Sequence, residues 1–296
     1  MNQPVIVIAG PTASGKTALA IDVAQRLGAE IISADSQQVY RHFDLGTAKP
    51  SASELAAVPH HLVSVVDPTD DFSAATFGRL ADAAIADIRS RGKRVVVVGG
   101  TGLYLRVLLH GVIDAPSRDE SLRAEFEAFA DQHGNDALHA RLAQVDPVSA
   151  QRLHVADRLR VIRALEITTL TGTPASAQRD AHAFVADRHP HALYVLSPER
   201  DWLYERINAR AKAMFEQGLL EETKALVDRG WRDTAPMRSV GYVQALDCLD
   251  GKLTREQAIT DLAQATRHFA KRQFTWFKKE KGGTFLSPPW NASLIG

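Results

Sequence analysis

Val5-Ile6-Val7-Ile8-Ala9-Gly10-Pro11-Thr12-Ala13-Ser14-Gly15-Lys16-Thr17 is the stretch on which the fold turns. Five apolar residues run into a glycine-bounded turn. Alanine, leucine and valine then recur at helical spacing from Thr17 to Leu27. The order is strand, loop, helix. Gly10 to Thr17 fits G-x-x-x-x-G-K-[ST], and it does so in the context where that pattern has a mechanism. Glycines let backbone N–H groups turn inward around an anion, and the helix N-terminus adds partial positive charge. Gly10, Pro11, Thr12, Ala13, Ser14, Gly15, Lys16 and Thr17 therefore read as a cradle for a di- or triphosphate. Lys16 can neutralise a terminal phosphate, and the Thr17 hydroxyl can hold Mg²⁺. The loop is blind to which phosphorylated ligand it takes.

Working outward, Glu30-Ile31-Ile32-Ser33-Ala34 is a second candidate strand that ends at Asp35. Phe77 to Arg91 reads as an amphipathic helix, with Leu80, Ala84, Ile85 and Ile88 on its apolar side. Arg94 to Val98 is a continuous apolar strand closed by Gly99-Gly100-Thr101-Gly102. Uninterrupted apolar strands alternating with helices predict an α/β fold of the P-loop NTPase-like kind, a parallel sheet with helices on both faces. The pattern changes after about residue 115. Helices begin at Ser121-Leu122-Arg123 and Asp136-Ala137-Leu138, and a third runs from Asp157 to Leu170, with no strand between. The strand signal returns at Leu193-Tyr194-Val195-Leu196, followed by helices over 200–217, 219–229, 240–249 and 254–279. The expected organisation is a core over 1–115, a helical insertion domain over 116–192 and a resumed core over 193–296. Pro288-Pro289 predicts a ragged tail.

Composition narrows the function. The 296 residues are 45% hydrophobic and 24% charged, an ordinary globular balance. Thirty-five Lys and Arg match thirty-five Asp and Glu, so any nucleic-acid site has to be a local patch. The single cysteine, Cys248, excludes a disulfide framework and a Cys-built zinc cluster. Met1-Asn2-Gln3-Pro4 lacks a basic leader, and no apolar run approaches the roughly 18 residues of a membrane span. A soluble, cytoplasmic monomer is expected.

Two residues at strand ends carry possible chemistry. Ligands of open parallel sheets bind outside the carboxyl ends of the strands, which brings Asp35 and Thr101 towards the phosphate loop. The Asp35 carboxylate can ligate metal, take a proton from a nucleophile or cap the turn that follows it. Thr101 can act there or serve the turn chemistry of Gly-Gly-Thr-Gly. A third feature is TRHFAKRQFTWFKKEK over 266–281, with six basic residues against one acidic. Phe269, Phe274, Trp276 and Phe277 are interleaved among them. That mixture suits phosphate contact with base stacking, and it equally suits an amphipathic helix with an aromatic core face. Arg152, Arg158, Arg160 and Arg163 form a smaller basic group; Arg158 and Arg160 cannot share a helix face.

Taken together, GPTASGKT at 10–17, SADSQQVY at 33–40, GTAKP at 46–50, His60-His61-Leu62, GGTGLYL at 99–105, DRLRVIRALE at 157–166, Arg206 and Arg210 between Leu203 and Met214, SVGYVQ at 239–244 and TRHFAKRQFTWF at 266–277 resemble the tRNA dimethylallyltransferases, the IPP transferase family. The resemblance implies transfer of a dimethylallyl group from dimethylallyl diphosphate to the N6 amine of the adenosine 3′-adjacent to the anticodon, with Mg²⁺. It implies Asp35 as general base and Lys16, Thr17 and Arg210 on the leaving diphosphate. Thr101 would position the amine or the diphosphate oxygens, and Ser36, Gln37 and Gln38 would read the base. The insertion would grip the anticodon stem-loop through Arg123 and the stretch Arg158, Leu159, Arg160, Val161, Ile162 and Arg163, aided by Lys271 and Arg272. Two other readings share the loop: a small-molecule P-loop kinase whose lid is the insertion, and a non-enzymatic RNA-binding nucleotide switch. Whether ATP also enters the loop is open.

Overall fold

The computed structural model describes residues 3–112, 116–182, 187–280 and 282–296. The chain forms two compact units, Met1–His110 with Asp187–Gly296, and Gly111–Ala186. The first unit begins β1 (Val5–Ala9), α1 (Lys16–Leu27), β2 (Ala29–Ser33), α2 (Ala52–Ala57), β3 (His60–His61), α3 (Ala74–Ser90), β4 (Arg94–Gly99) and α4 (Gly102–His110). The second unit holds α5 (Glu120–Val145), α6 (Pro147–Arg152), α7 (Arg158–Thr171) and α8 (Ala175–His182). The first unit then resumes with β5 (His191–Leu196), α9 (Arg200–Glu216), α10 (Leu219–Asp228), α11 (Tyr242–Leu249), α12 (Arg255–Phe277) and β6 (Thr284–Leu286). No helix among the described residues is long and apolar enough to cross a membrane.

All strands pair in parallel, in the order β3–β2–β4–β1–β5–β6. The continuous apolar run of β1 follows from burial on both faces. Val5 and Val7 pack with Phe77 and Ile85 of α3 and Leu108 of α4, while Ile6 and Ile8 pack with Leu19 and Val23 of α1. Successive side chains alternate between two covered faces, so neither face selects polar residues. The chain leaves β1 for β2, returns to place β4 beside β1, and later adds β5 on the other side. The carboxyl ends of β1, β4 and β2 thus open on one crevice at the switch in strand order.

The carboxyl-terminal segment is ordered, which corrects the expected ragged tail. Val195 pairs with Phe285 and Leu196 with Leu286. Ile295 is 1% exposed among Ile6, Ile8 and Leu19. The proline pair ends a strand without ending the fold, because an apolar anchor lies beyond it. The resumed sheet starts at His191, two residues before the expected position, and the second compact unit spans Gly111–Ala186 where 116–192 was expected.

Inside that second unit, α5 is broken at Gly134 (φ 86°, ψ 162°), which accounts for two helix starts in the sequence. Phe126, Leu138, Leu142, Val161, Ile162 and Leu165 form its core. Two buried carboxylates tie it together. Asp146 accepts from the Ser149 N–H (3.0 Å) and from the Ser176 N–H and hydroxyl (2.9 and 2.6 Å). Glu166, whose side chain is 0% exposed, accepts from Arg123, from Arg163 and from the Asp119 N–H at 2.7 Å.

Candidate active site

The phosphate loop joins β1 to α1 as the sequence predicts. Gly10 (φ 146°) and Gly15 (φ 90°) hold backbone angles that favour glycine, and Gly15 caps α1 without a side-chain hydrogen bond. The first N–H groups of α1 are therefore left for an anion. The loop's own carbonyls are occupied by side chains. Lys16 Nζ donates to Pro11 O (2.7 Å), Arg206 Nε to Ala13 O (2.9 Å) and Trp290 Nε1 to Ser14 O (2.8 Å). Arg210 Nη1 approaches Thr12 Oγ1 at 3.4 Å. One turn apart on α9, Arg206 and Arg210 reach the loop together.

A cavity of about 830 Å³ lies over this loop. It is lined by Thr12, Lys16, Thr17, Asp35, Ser36, Gln37, Gln38, Thr101 and Arg210, so the residues expected at the strand ends and on the loop share one space. Phe269, Arg272 and Gln273 of α12 line it too. Burial pushes the Lys16 ammonium down to about 8; the Asp35 carboxylate pulls it back up and the Arg210 charge lowers it further. Burial likewise lowers the Arg210 guanidinium below its ordinary value, with Asp35 opposing. Both cations thus lack the counter-charge that a diphosphate would bring.

Asp35 follows the end of β2 and opens a turn. Its Oδ1 accepts from the Gln37 and Gln38 N–H groups at 2.9 and 3.3 Å, while Oδ2 carries no hydrogen bond among the described residues. Capping therefore occupies one oxygen and leaves the other facing the cavity without a hydrogen bond among the described residues. Thr101 Oγ1 accepts from the Ser36 N–H at 3.1 Å, fixing this turn to the end of β4. Gln38 is committed inward: Nε2 donates to Ala48 O (3.0 Å), and Oε1 accepts from Ser33 Oγ (3.2 Å). The GTAKP loop that supplies Ala48 O is itself held by Glu222, which accepts from Leu45 N–H, Gly46 N–H and the Tyr242 hydroxyl.

A divalent cation fits this corner in one way. Thr17 lines the cavity, and no three His, Cys, Asp or Glu side chains cluster among the described residues. That donor set suits an ion held by one protein hydroxyl, water and substrate phosphates, as Mg²⁺ prefers, and does not suit an all-protein cage.

The remaining expected residues lie on the basic face of α12, where Arg272 reaches the cavity rim, and in the second unit. Lys271 and Arg272 are exposed on α12, while Ala270, Gln273 and Phe277 of the same helix are buried. The amphipathic reading of that segment therefore holds, with an aromatic and apolar face buried and a basic face exposed. Lys281 lies outside the described residues. In the second unit, Leu159 is 70% exposed and the Arg160 side chain 71%. Val161 and Ile162, expected to meet RNA, are each 1% exposed, which corrects that expectation: core packing consumes both side chains. Arg123 and Arg163 bind Glu166, and Arg158 binds Asp131 and Glu127. Sequence reasoning gave no role to Gln273 or Trp290. A polar residue at position 273 in the 270/273/277 apolar stripe was the available signal for the first.

Residues 38–280 match the family model described as IPP transferase, and residues 3–63 match one described as isopentenyl transferase. A tRNA dimethylallyltransferase of Myxococcus xanthus (strain DK1622) is 65% identical over 288 residues, covering 97% of this chain and 94% of its own. Another, of Anaeromyxobacter dehalogenans (strain 2CP-C), is 52% identical across 98% of this chain and 97% of its own. The crystal structure of the full-length tRNA isopentenylpyrophosphate transferase of Bacillus halodurans is similar, with a TM-score of 0.71 and 42% identity across 97% of this chain and 90% of that one. A structure described as a eukaryotic dimethylallyltransferase acting on tRNA gives a TM-score of 0.80 at 30% identity, covering 97% of this chain and 74% of its own. With its phosphate loop, parallel sheet and near full-length matches, this chain belongs to the IPP transferase family.

Proposed function

We propose that this chain transfers the dimethylallyl group of dimethylallyl diphosphate to the exocyclic N6 amine of the adenosine 3′-adjacent to the anticodon of tRNA, releasing diphosphate. The observation that carries this reading is the shared cavity: two half-buried cations, Lys16 of the phosphate loop and Arg210 of α9, face the same space as a carboxylate with one oxygen uncommitted. The allylic C–O bond breaks and its electron pair leaves with the diphosphate. Lys16, Arg210 and the amino end of α1 stabilise that charge. The adenine amine is a poor nucleophile because its lone pair is delocalised into the ring. As the new N–C bond forms, Asp35 Oδ2 takes the amine proton. Thr101 holds the Asp35 turn and so aims that oxygen. Mg²⁺ held at Thr17 would supply further charge neutralisation to the diphosphate.

The target base leaves the anticodon stack to reach this depth. Ser36 and Gln37 are the side chains left for its edge, since Gln38 is spent on the neighbouring loop. Leu159 and Arg160 in the second unit, and Lys271 and Arg272 on α12, present exposed surface for the RNA. Names of the matched relatives support a tRNA-modifying transferase over a small-molecule kinase.

The test is donor choice. Incubated with Mg²⁺ and an anticodon stem-loop RNA, the protein is expected to move label from dimethylallyl diphosphate to the RNA and none from ATP. Label arriving from the γ-phosphate of ATP, or RNA bound and recovered unmodified, would overturn the reading.

A further inference from the structure

Gln273 is polar, 7% exposed and flanked on its helix face by Ala270 and Phe277, each 1% exposed. An amide buried in such a stripe costs free energy unless both of its ends are paired. Here both are. Oε1 accepts from the Thr12 N–H at 2.8 Å, and Nε2 donates to Gly100 O at 2.9 Å. The partners fix the orientation of the amide, because a backbone N–H can only donate and a carbonyl can only accept. One bond therefore ends on the phosphate loop. The other ends on the residue preceding Thr101, whose hydroxyl holds the Asp35 turn through the Ser36 N–H.

We propose that Gln273 is a positioning residue that ties the phosphate loop to the Thr101 loop and so sets the separation between the leaving diphosphate and the acceptor amine. This rests on the transferase reading above. Neither an acid nor an apolar side chain of similar length can make both bonds. A glutamate presents two acceptors and would face Gly100 O with the wrong charge. A methionine fills the space and pairs with neither partner. The effect should fall on the transition state, where a small misplacement of two bound reactants is costly, and much less on the binding of either one.

The site offers a second perturbation that leaves α12 untouched. A Cβ on Gly100 would lie 2.2 Å from Gln273 Nε2, the far end of a flexible side chain. Gly100→Ala should therefore push the amide off its carbonyl without a backbone clash, since the nearest backbone atom, Gly10 O, would lie 3.4 Å away.

The experiment compares Gln273→Glu, Gly100→Ala and the double variant. It measures kcat with dimethylallyl diphosphate and the stem-loop RNA, KM for each, and the stoichiometry of inorganic pyrophosphate binding. Rates are normalised to pyrophosphate-binding sites, so a partly unfolded sample does not mimic a positioning defect. Each single variant is expected to lose about 10- to 100-fold in kcat per site with both KM values within about threefold. The double variant should be no worse than Gln273→Glu, because both changes break one connection. Should Gln273→Glu fail to fold, the Gly100→Ala result decides alone. The proposal is overturned by kcat per site within about twofold of wild type, by losses that multiply in the double variant, or by a loss confined to KM. If the wild-type protein binds pyrophosphate and never prenylates RNA, the transferase reading fails and not the connection alone.

Discussion

In the second unit, the buried Glu166 meets Arg123, Arg163 and the Asp119 N–H, whereas at the phosphate loop Lys16 and Arg210 are shielded, with Asp35 the carboxylate that acts on both through space. Both regions put charge where water is scarce. One completes its pairing within the chain, and the other leaves cations in excess. A completed buried pair fixes a local structure. An incomplete one awaits a ligand of opposite sign, which is why perturbed groups gather at functional sites. Basic residues that look alike in a sequence therefore part company: Arg123 and Arg163 are committed inward, while Lys16 and Arg210 are held ready.

The largest expected effect removes the carboxylate that acts on both of these cations. Asparagine at position 35 keeps an Oδ1 acceptor for the Gln37 and Gln38 N–H groups and loses the base. Asp35→Asn should lower prenyl transfer by about 10²- to 10⁴-fold and leave stem-loop affinity within about threefold. Turnover within about tenfold of wild type would take the base assignment away from Asp35.

Next in size is Glu166→Ala, which strands two arginines in the second unit. Burial alone would raise this carboxyl, but hydrogen bonds from Arg123 and Arg163 outweigh that and hold it below the usual range. Its contribution to stability is therefore present above the ordinary carboxylate range and lost as pH falls below it. Removing it should destabilise the unit by about 3 kcal/mol, read as faster hydrogen exchange over 116–182 while pyrophosphate still binds. Unchanged exchange would make the pairing ornamental.

The smallest effect concerns exposed cations. Lys271→Ala with Arg272→Ala, or Arg160→Ala alone, should flatten the salt dependence of RNA affinity by about one unit of slope for each phosphate no longer neutralised, with unchanged thermal stability. Arg123→Ala should do the reverse, loosening the second unit more than it alters the slope. Equal behaviour in the two classes would erase the distinction between inward-committed and solvent-exposed arginines.

Much of this was legible in the sequence because it is local. The phosphate loop, the apolar strands and the helix break at Gly134 are each encoded within a dozen residues. Asp35 and Thr101 were legible one level higher, since strand ends of a parallel sheet converge. Gln273 and Trp290 were not, because their loop partners lie 261 and 276 residues away in the chain. The tail was misread for the same reason: Pro288-Pro289 is a local stop signal, and the burial of Ile295 is tertiary. DRLRVIRALE gave its basic residues and concealed which of them Glu166 would consume.

The contrast between spent and unspent charge rests most directly on Lys16. With its ammonium at about 8 in the ligand-free protein, the pyrophosphate affinity of wild type relative to Lys16→Arg should hold steady below that pH and fall as pH rises through it, since the anion favours the protonated form and its own titration cancels in the ratio. Calorimetry of inorganic pyrophosphate binding at pH 8, in buffers of different ionisation enthalpy, should find about half a proton more taken up by wild type than by Lys16→Arg, whose side chain stays charged. Equal uptake by the two proteins would mean that Asp35 already offsets burial and holds Lys16 fully charged without a ligand, and would contradict an unspent cation at the phosphate loop.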